Sequence, residues 1–143
     1  MPSRKARKVL VGGVFSILHP GHMLFLESAR KLGSSLVVVI AHDRTVQRRK
    51  GKPPFTAKDR ARMVASLKLV DRVRIGDPYD MMKAVREEKP GIIALGYDQG
   101  IDERKLRQEL ESMGLKTKVV RIRKRLPGYS TSKIIKEIKE RND

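Results

Sequence analysis

His19 and His22 stand three residues apart in the stretch VFSILHPGHMLF (residues 14–25), separated by Pro20-Gly21. The apolar run Val9-Leu10-Val11 and the pair Gly12-Gly13 come just before. Two imidazoles at such a junction suit an anionic oligophosphate. Pro20 fits an early helical position, where its missing N–H costs nothing, and Gly21 lets the backbone turn tightly. Free amides at a helix start favour negative charge. The rings can donate N–H bonds to phosphate oxygens without acting as nucleophile or base, because phosphoryl-type transfer depends mostly on placement and charge stabilisation. Two other readings stay open. Zinc could use the pair, but a zinc site takes three or four protein ligands, and the third histidine, His42, is distant in sequence; no protein-held metal is expected. The other reading is a pair of loop histidines satisfied by their surroundings.

The elements that must position these rings alternate between strand and helix signals. Phe25, Ala29 and Leu32 share one helical face, which Gly33 ends. Leu36 to Ala41 is continuously apolar, as a strand buried on both faces should be. Arg49 to Thr56 reads as a basic loop with two prolines, and Thr56 with Asp59 is a capping-box pattern opening a helix to about Leu69. A strand is expected at Arg72 to Ile75, a helix at Tyr79 to Glu88 and a strand at Gly91 to Gly96. Leu106, Leu110 and Met113 mark a further helix stopped by Gly114; Lys116 to Ile122 is the fifth strand. Ser130 to Ser132 can cap a last helix carrying Ile134, Ile135 and Ile138. The alternation predicts one α/β domain over 9–143, a doubly wound Rossmann-like fold with a five-stranded parallel sheet. Residues 1–8 are a basic, frayed N-terminus. Ligands bind such sheets beyond the carboxyl ends of the strands. The loops 12–22, 41–56, 76–79, 96–101 and 123–131 are therefore the ones to watch.

Bulk properties narrow the classes. The 143 residues make one domain. No apolar run approaches 18 residues and no signal-peptide core follows the basic start, so a cytoplasmic protein without a membrane partner is expected. The absence of cysteine excludes thiolate metal sites and cysteine catalysis. The formal net charge of +17 attracts polyanions, whether nucleic acid or phosphorylated small molecules. A nucleic-acid-binding module is the alternative from another class. It is disfavoured because basic residues are spread along the chain and aromatic residues are only 4%.

GVFSILHPGH resembles the first signature, H-x-G-H, of the cytidylyltransferase-like nucleotidyltransferases, and GYSTSKI (128–134) resembles their second. Arg60 with Val70 to Val73 is similar to a third block, so the likeness runs from about Val9 to Ile138. It implies that His19 and His22 contact nucleotide phosphates and stabilise charge at the α-phosphate, with Arg125 nearby. Gly13, Val14 and Phe15 would form the strand end whose backbone approaches the nucleotide. Ser130 and Thr131 would bind phosphates, Asp98 would sit in the loop holding the nucleoside, and Lys50 and Lys52 would help hold the triphosphate. Tyr129, next to the serine, would either stack on the base or pack. Ser16 stands where the family usually has Asp, and Val14 where it often has Thr, removing a carboxylate and a hydroxyl. VVVIAHDRTV, KGKPPFTAKDR and IALGYDQ resemble the archaeal FAD synthetase group most. That likeness implies transfer of AMP from ATP to FMN, with Mg2+ on the triphosphate and no covalent intermediate. CTP:glycerol-phosphate cytidylyltransferases and sugar-phosphate adenylyltransferases are the alternatives. The resemblance also implies a homodimer with VDRV (70–73) near its interface.

Overall fold

The computed structural model describes residues 7–49, the backbone of Lys50, and residues 53–141. Lys52 and the first six residues lie outside the described residues. Strands β1 (Lys8–Gly13), β2 (Ser35–Ile40), β3 (Arg72–Ile75), β4 (Ile92–Leu95) and β5 (Lys118–Arg121) form one parallel sheet in the order β3-β2-β1-β4-β5. Alternation along the strands feeds two cores. Val9, Val11, Leu36, Val38, Ile40, Ile92 and Ala94 face one side, where Leu26 and Ala29 of α1 (Pro20–Arg30) and Ala57 and Val64 of α3 (Ala57–Ala65) cover them. Leu10, Val37, Ile93, Leu95 and Val119 face the other, under Val85 of α4 (Lys83–Glu88) and Leu110 of α5 (Glu103–Ser112). Both faces being buried is what an apolar run such as Leu36–Ile40 requires. Helix α6 (Thr131–Arg141) follows β5 and buries none of its residues; Ile138 is exposed.

Strand order reverses between β1 and β4, so the crevice at their carboxyl ends is the topological switch point where such sheets take ligands. The loop after β1 carries both histidines, and the loop after β4 carries Asp98.

Three elements and one packed face differ from the sequence expectation. Helix α2 (Asp43–Lys50) forms where the sequence predicts mostly loop, because seven of its eight residues are polar and only Val46 reaches the core, leaving no apolar periodicity. The helix expected from Tyr79 begins only at Lys83. The Asp77 carboxylate accepts the Tyr79 and Asp80 N–H groups, and Asp80 accepts that of Met82. Such side-chain turns compete with a helical start. Thr56 does cap α3, accepting the Asp59 N–H at 3.2 Å, but the helix stops at Ala65 rather than near Leu69. On α1 the fully buried apolar side chains are Leu26 and Ala29, while Phe25 and Leu32 pack at the margin. No helix among the described residues is long and apolar enough to cross a membrane.

The segment 70–73 is engaged within the chain. Asp71 accepts the Leu36 N–H at 2.7 Å and faces Arg30, and Arg72 pairs with the buried Glu88, which also meets Lys8 and Arg74.

Arg60, on α3, is fully buried. Its guanidinium donates to the Val14 carbonyl at 2.8 Å, the Phe55 carbonyl at 3.1 Å and the Asp43 carboxylate at 2.9 Å, and Asp43 in turn accepts the Ala57 N–H. One side chain thus ties the loop after β1 to the starts of α2 and α3. Arg60→Met should lower the unfolding free energy by about 3 kcal/mol, the lower end for breaking a buried ion pair because Asp43 keeps a third of its side chain in water. A shift of the urea midpoint at unchanged slope checks it; an unchanged midpoint would show that Arg60 carries no such load.

Candidate active site

β1 ends on Gly13 because the Phe15 ring lies against it: a Cβ there would stand 2.7 Å from the ring. Phe15 is itself buried with φ at 51°, a left-handed backbone that a non-glycine residue holds only when its surroundings enforce it. The turn it makes sends the chain to His19, the N-cap of α1, with Pro20 as the first helical residue.

The two histidines cap the helix reciprocally. The Gly21 N–H donates to His19 Nδ1 at 3.1 Å, and the His19 N–H donates to His22 Nδ1 at 3.3 Å. The rings stack with centroids 3.8 Å apart. Each Nδ1 acts as an acceptor, so each ring is neutral and carries its proton on Nε2. Electrostatics agree. Burial lowers the His19 pKa; at His22 burial first, then the neighbouring His19, lower it to about 4, against an opposing pull from Asp98. The helix start therefore presents two imidazole Nε2–H donors.

The free helix-start amides expected from the sequence are absent at α1. The amide of Gly21 goes to the His19 ring, and those of His22 and Met23 to the His19 carbonyl. Capping satisfies them, so an anion meets the rings rather than the backbone of this helix.

The second signature arrives at the same place. Gly128, with φ at 94°, turns the chain into α6. Tyr129 lies nearly parallel to His19, ring centroids 6.3 Å apart, and Thr131 Oγ1 donates to the Ile17 carbonyl at 3.4 Å. Ser130 Oγ accepts the Lys133 N–H at 3.1 Å, and the Ser130 carbonyl accepts that of Ile134. The first two amides of α6, those of Thr131 and Ser132, have no acceptor within a helix. Asp98 comes from the β4–α5 loop, close enough to His22 to act on its charge.

Other expected residues lie at the margin or serve the scaffold. The Arg125 guanidinium sits over the Tyr97 ring at 5.3 Å, beside the Asp98 loop. The Val14 carbonyl is taken by Arg60 and the Gly13 carbonyl by Ala41 N–H, so these two acceptors hold the loop. Lys50 ends α2 and its side chain is not described; Lys52 lies outside the described residues. His42 accepts the Arg44 N–H at the start of α2. Among the described residues no group of three or more His, Asp or Glu side chains could hold a metal ion. An apolar groove of about 510 Å³, lined by Leu18, Pro20, Met23 and Leu126, opens beside His19.

A doubly wound sheet whose switch-point crevice gathers paired neutral imidazoles, a hydroxyl-bearing helix start and a carboxylate is a setting suited to a phosphorylated ligand. The cytidylyltransferase-like family model matches residues 10–137. A FAD synthase of Aciduliprofundum boonei is 51% identical over 138 residues, covering 95% of this chain and 93% of that protein. A FAD synthase of Archaeoglobus profundus is 48% identical over 133 residues, covering 92% and 85%. A crystal structure described as the lipopolysaccharide core biosynthesis protein from Thermoplasma volcanium superposes with a TM-score of 0.80 at 45% identity, covering 82% of this chain and 97% of that one. The chain belongs to the cytidylyltransferase-like family, in the branch of the FAD synthases, and is a nucleotidyltransferase.

The neutral histidines carry a pH signature. Below the ordinary histidine pKa of 6.5 the unfolded chain takes up a proton that folded His22 refuses until about pH 4. Unfolding free energy should therefore fall as pH drops from 6.5 towards 4 and be unaffected by these rings above that window. His22→Asn, which keeps an acceptor but cannot titrate, should flatten the fall in denaturation series across that range; an unaltered slope would count against a neutral His22.

Proposed function

We propose that this chain transfers AMP from ATP to FMN, forming FAD and releasing pyrophosphate. The FAD synthase relatives, 43–51% identical over nearly the whole chain, support the substrates. The single observation that carries the chemistry is the meeting of His19, His22, Tyr129 and Thr131 around one crevice. A phosphate oxygen of FMN attacks the α-phosphorus of ATP in line. The new P–O bond forms as the bond to the β-phosphate bridging oxygen breaks, and pyrophosphate leaves with the electron pair.

The barrier is electrostatic, since negative charge accumulates on the α-phosphate oxygens and the bridging oxygen. The Nε2–H groups of His19 and His22 donate to those oxygens. Because the rings are already neutral and already fixed through Nδ1, no proton transfer or reorientation precedes the step. Ser130 and Thr131, at the start of α6, receive the outer phosphates with the Ser130 hydroxyl and the Thr131 amide, and Lys50, Lys52 and Arg125 add positive charge around them. Asp98 holds the nucleoside from the opposite lip, with Tyr129 and the backbone of Gly13 to Phe15 bounding the pocket. A lone carboxylate beside two imidazoles is a sparse donor set. It suits Mg2+ brought in on the triphosphate, an ion that keeps phosphate oxygens and water as most of its ligands, and it leaves Asp98 to the nucleoside. Bound there, the ion would neutralise phosphate charge.

Purified protein incubated with Mg2+, FMN and either ATP or CTP should yield FAD and pyrophosphate with ATP. Pyrophosphate release only from CTP with glycerol phosphate would overturn the assignment. His19→Ala and His22→Ala should each reduce turnover by about 10²–10³, the scale of losing one charge-stabilising donor, with folding nearly intact. Turnover equal to the parent's would remove them from the mechanism.

A further inference from the structure

The sheet comes apart at its functional end. β1 pairs with β2 along six residues, from Lys8–Ser35 to Gly13–Ile40, but with β4 only through Val9–Ile92 and Leu10–Ile93. Beyond that point the amide of Gln99 replaces the missing ladder. Its Nε2 donates to the Gly12 carbonyl of β1 at 3.0 Å, and its Oε1 accepts the Gly96 N–H, just past β4, at 2.8 Å. A side chain stands where a peptide group of a neighbouring strand would stand, and it spans the switch-point crevice.

Arg121, the last residue of β5, secures the same loop from the other side. Nη1 donates to the carbonyls of Gly96 at 2.8 Å and Gln99 at 2.7 Å, Nη2 to that of Ile101 at 2.9 Å, and Nε to the Glu103 carboxylate at 2.8 Å. That ion pair holds the Glu103 carboxyl below its usual range. The guanidinium is mostly buried, so each of these bonds is worth more than its surface equivalent. Gly96, Gln99 and Ile101 are thereby fixed through their backbones, and Asp102 is fixed by capping α5. What remains facing out is Tyr97 and Asp98: the aromatic ring beneath Arg125, and the carboxylate that acts on the charge of His22.

We infer that Gln99 and Arg121 are positioning residues for the nucleotide, together clamping the β4–α5 loop so that Asp98 and the Tyr97–Arg125 pair face the crevice. Neither needs to touch substrate. The inference rests on the reading of Asp98 as the residue that holds the nucleoside. A lysine cannot substitute at 121, because a single ammonium lacks the planar fork that reaches three carbonyls and a carboxylate at once.

The test is steady-state kinetics on the full chain with ATP and FMN varied separately, for Arg121→Lys, Gln99→Met, Asp98→Ala and the two double variants with Asp98→Ala. Thermal unfolding confirms that each is folded; Gln99→Met, the milder change, serves should Arg121→Lys not fold. Arg121→Lys and Gln99→Met should each raise KM for ATP about tenfold, leave KM for FMN within about twofold, and lose that effect when Asp98 is already alanine, as coupled residues do. A purely structural role would lower the unfolding temperature and leave both KM values alone, and that result overturns the inference. Losses that add independently of Asp98→Ala overturn it as well. If Asp98→Ala by itself leaves KM for ATP unchanged, the nucleoside-holding reading falls and the inference with it; if Asp98→Ala raises it and the clamp variants do not, the inference alone falls.

Discussion

Each histidine at the start of α1 commits its Nδ1 lone pair to a backbone N–H, and what the site can offer an anion follows from that commitment. A ring that accepts at one nitrogen must donate at the other, so the helix cap also sets the tautomer and the direction of the donors. Stacking at 3.8 Å suits neutral rings, since two imidazolium ions so close would repel. Pro20, which has no N–H to satisfy, and Gly21, whose N–H closes the cap, are the residues that let two imidazoles occupy positions usually held by small polar side chains.

Around this cap the fold solves a problem of access. A parallel sheet buried on both faces has no free surface for a ligand except its ends, and the reversal of strand order opens one of them. Loops reaching into that opening would be mobile if they were held by backbone contacts alone. Two buried guanidinium groups prevent this: Arg60 binds the loop after β1 to α2 and α3, and Arg121 binds the loop after β4 to β5. The +17 charge is thus not only a field around the molecule. Some of its cations are internal fasteners.

Much of the fold was legible because its signals are periodic. Strands such as Leu36–Ile40 announce themselves as continuous β-branched runs, and β3 falls at Arg72–Ile75 as expected. Helix α2 did not, since DRTVQRRK contains one apolar residue and its stability comes from tertiary contacts rather than from a stripe. The histidine pair was legible by spacing, and its convergence with Tyr129 and Thr131 by resemblance. The occupied amides of α1 were not, because histidine is an uncommon cap whose role depends on ring orientation. Arg121 gave no signal either: among so many exposed basic residues nothing marks the one that turns inward. Gln99 is visible in GYDQ as a polar residue next to the Asp98 carboxylate, but nothing in that stretch marks it as a bridge between strands.

The side-chain bridge at Gln99 gives the crevice an unusual property. Hydrogen bonds between strands belong to the main chain, so ordinary substitutions leave them standing and the spacing of a sheet is largely beyond the reach of mutation. Here one rung between the first and fourth strands is written in a side chain. The width of the cleft is therefore heritable in a single codon, and could drift or be tuned while the strands beneath keep their registry.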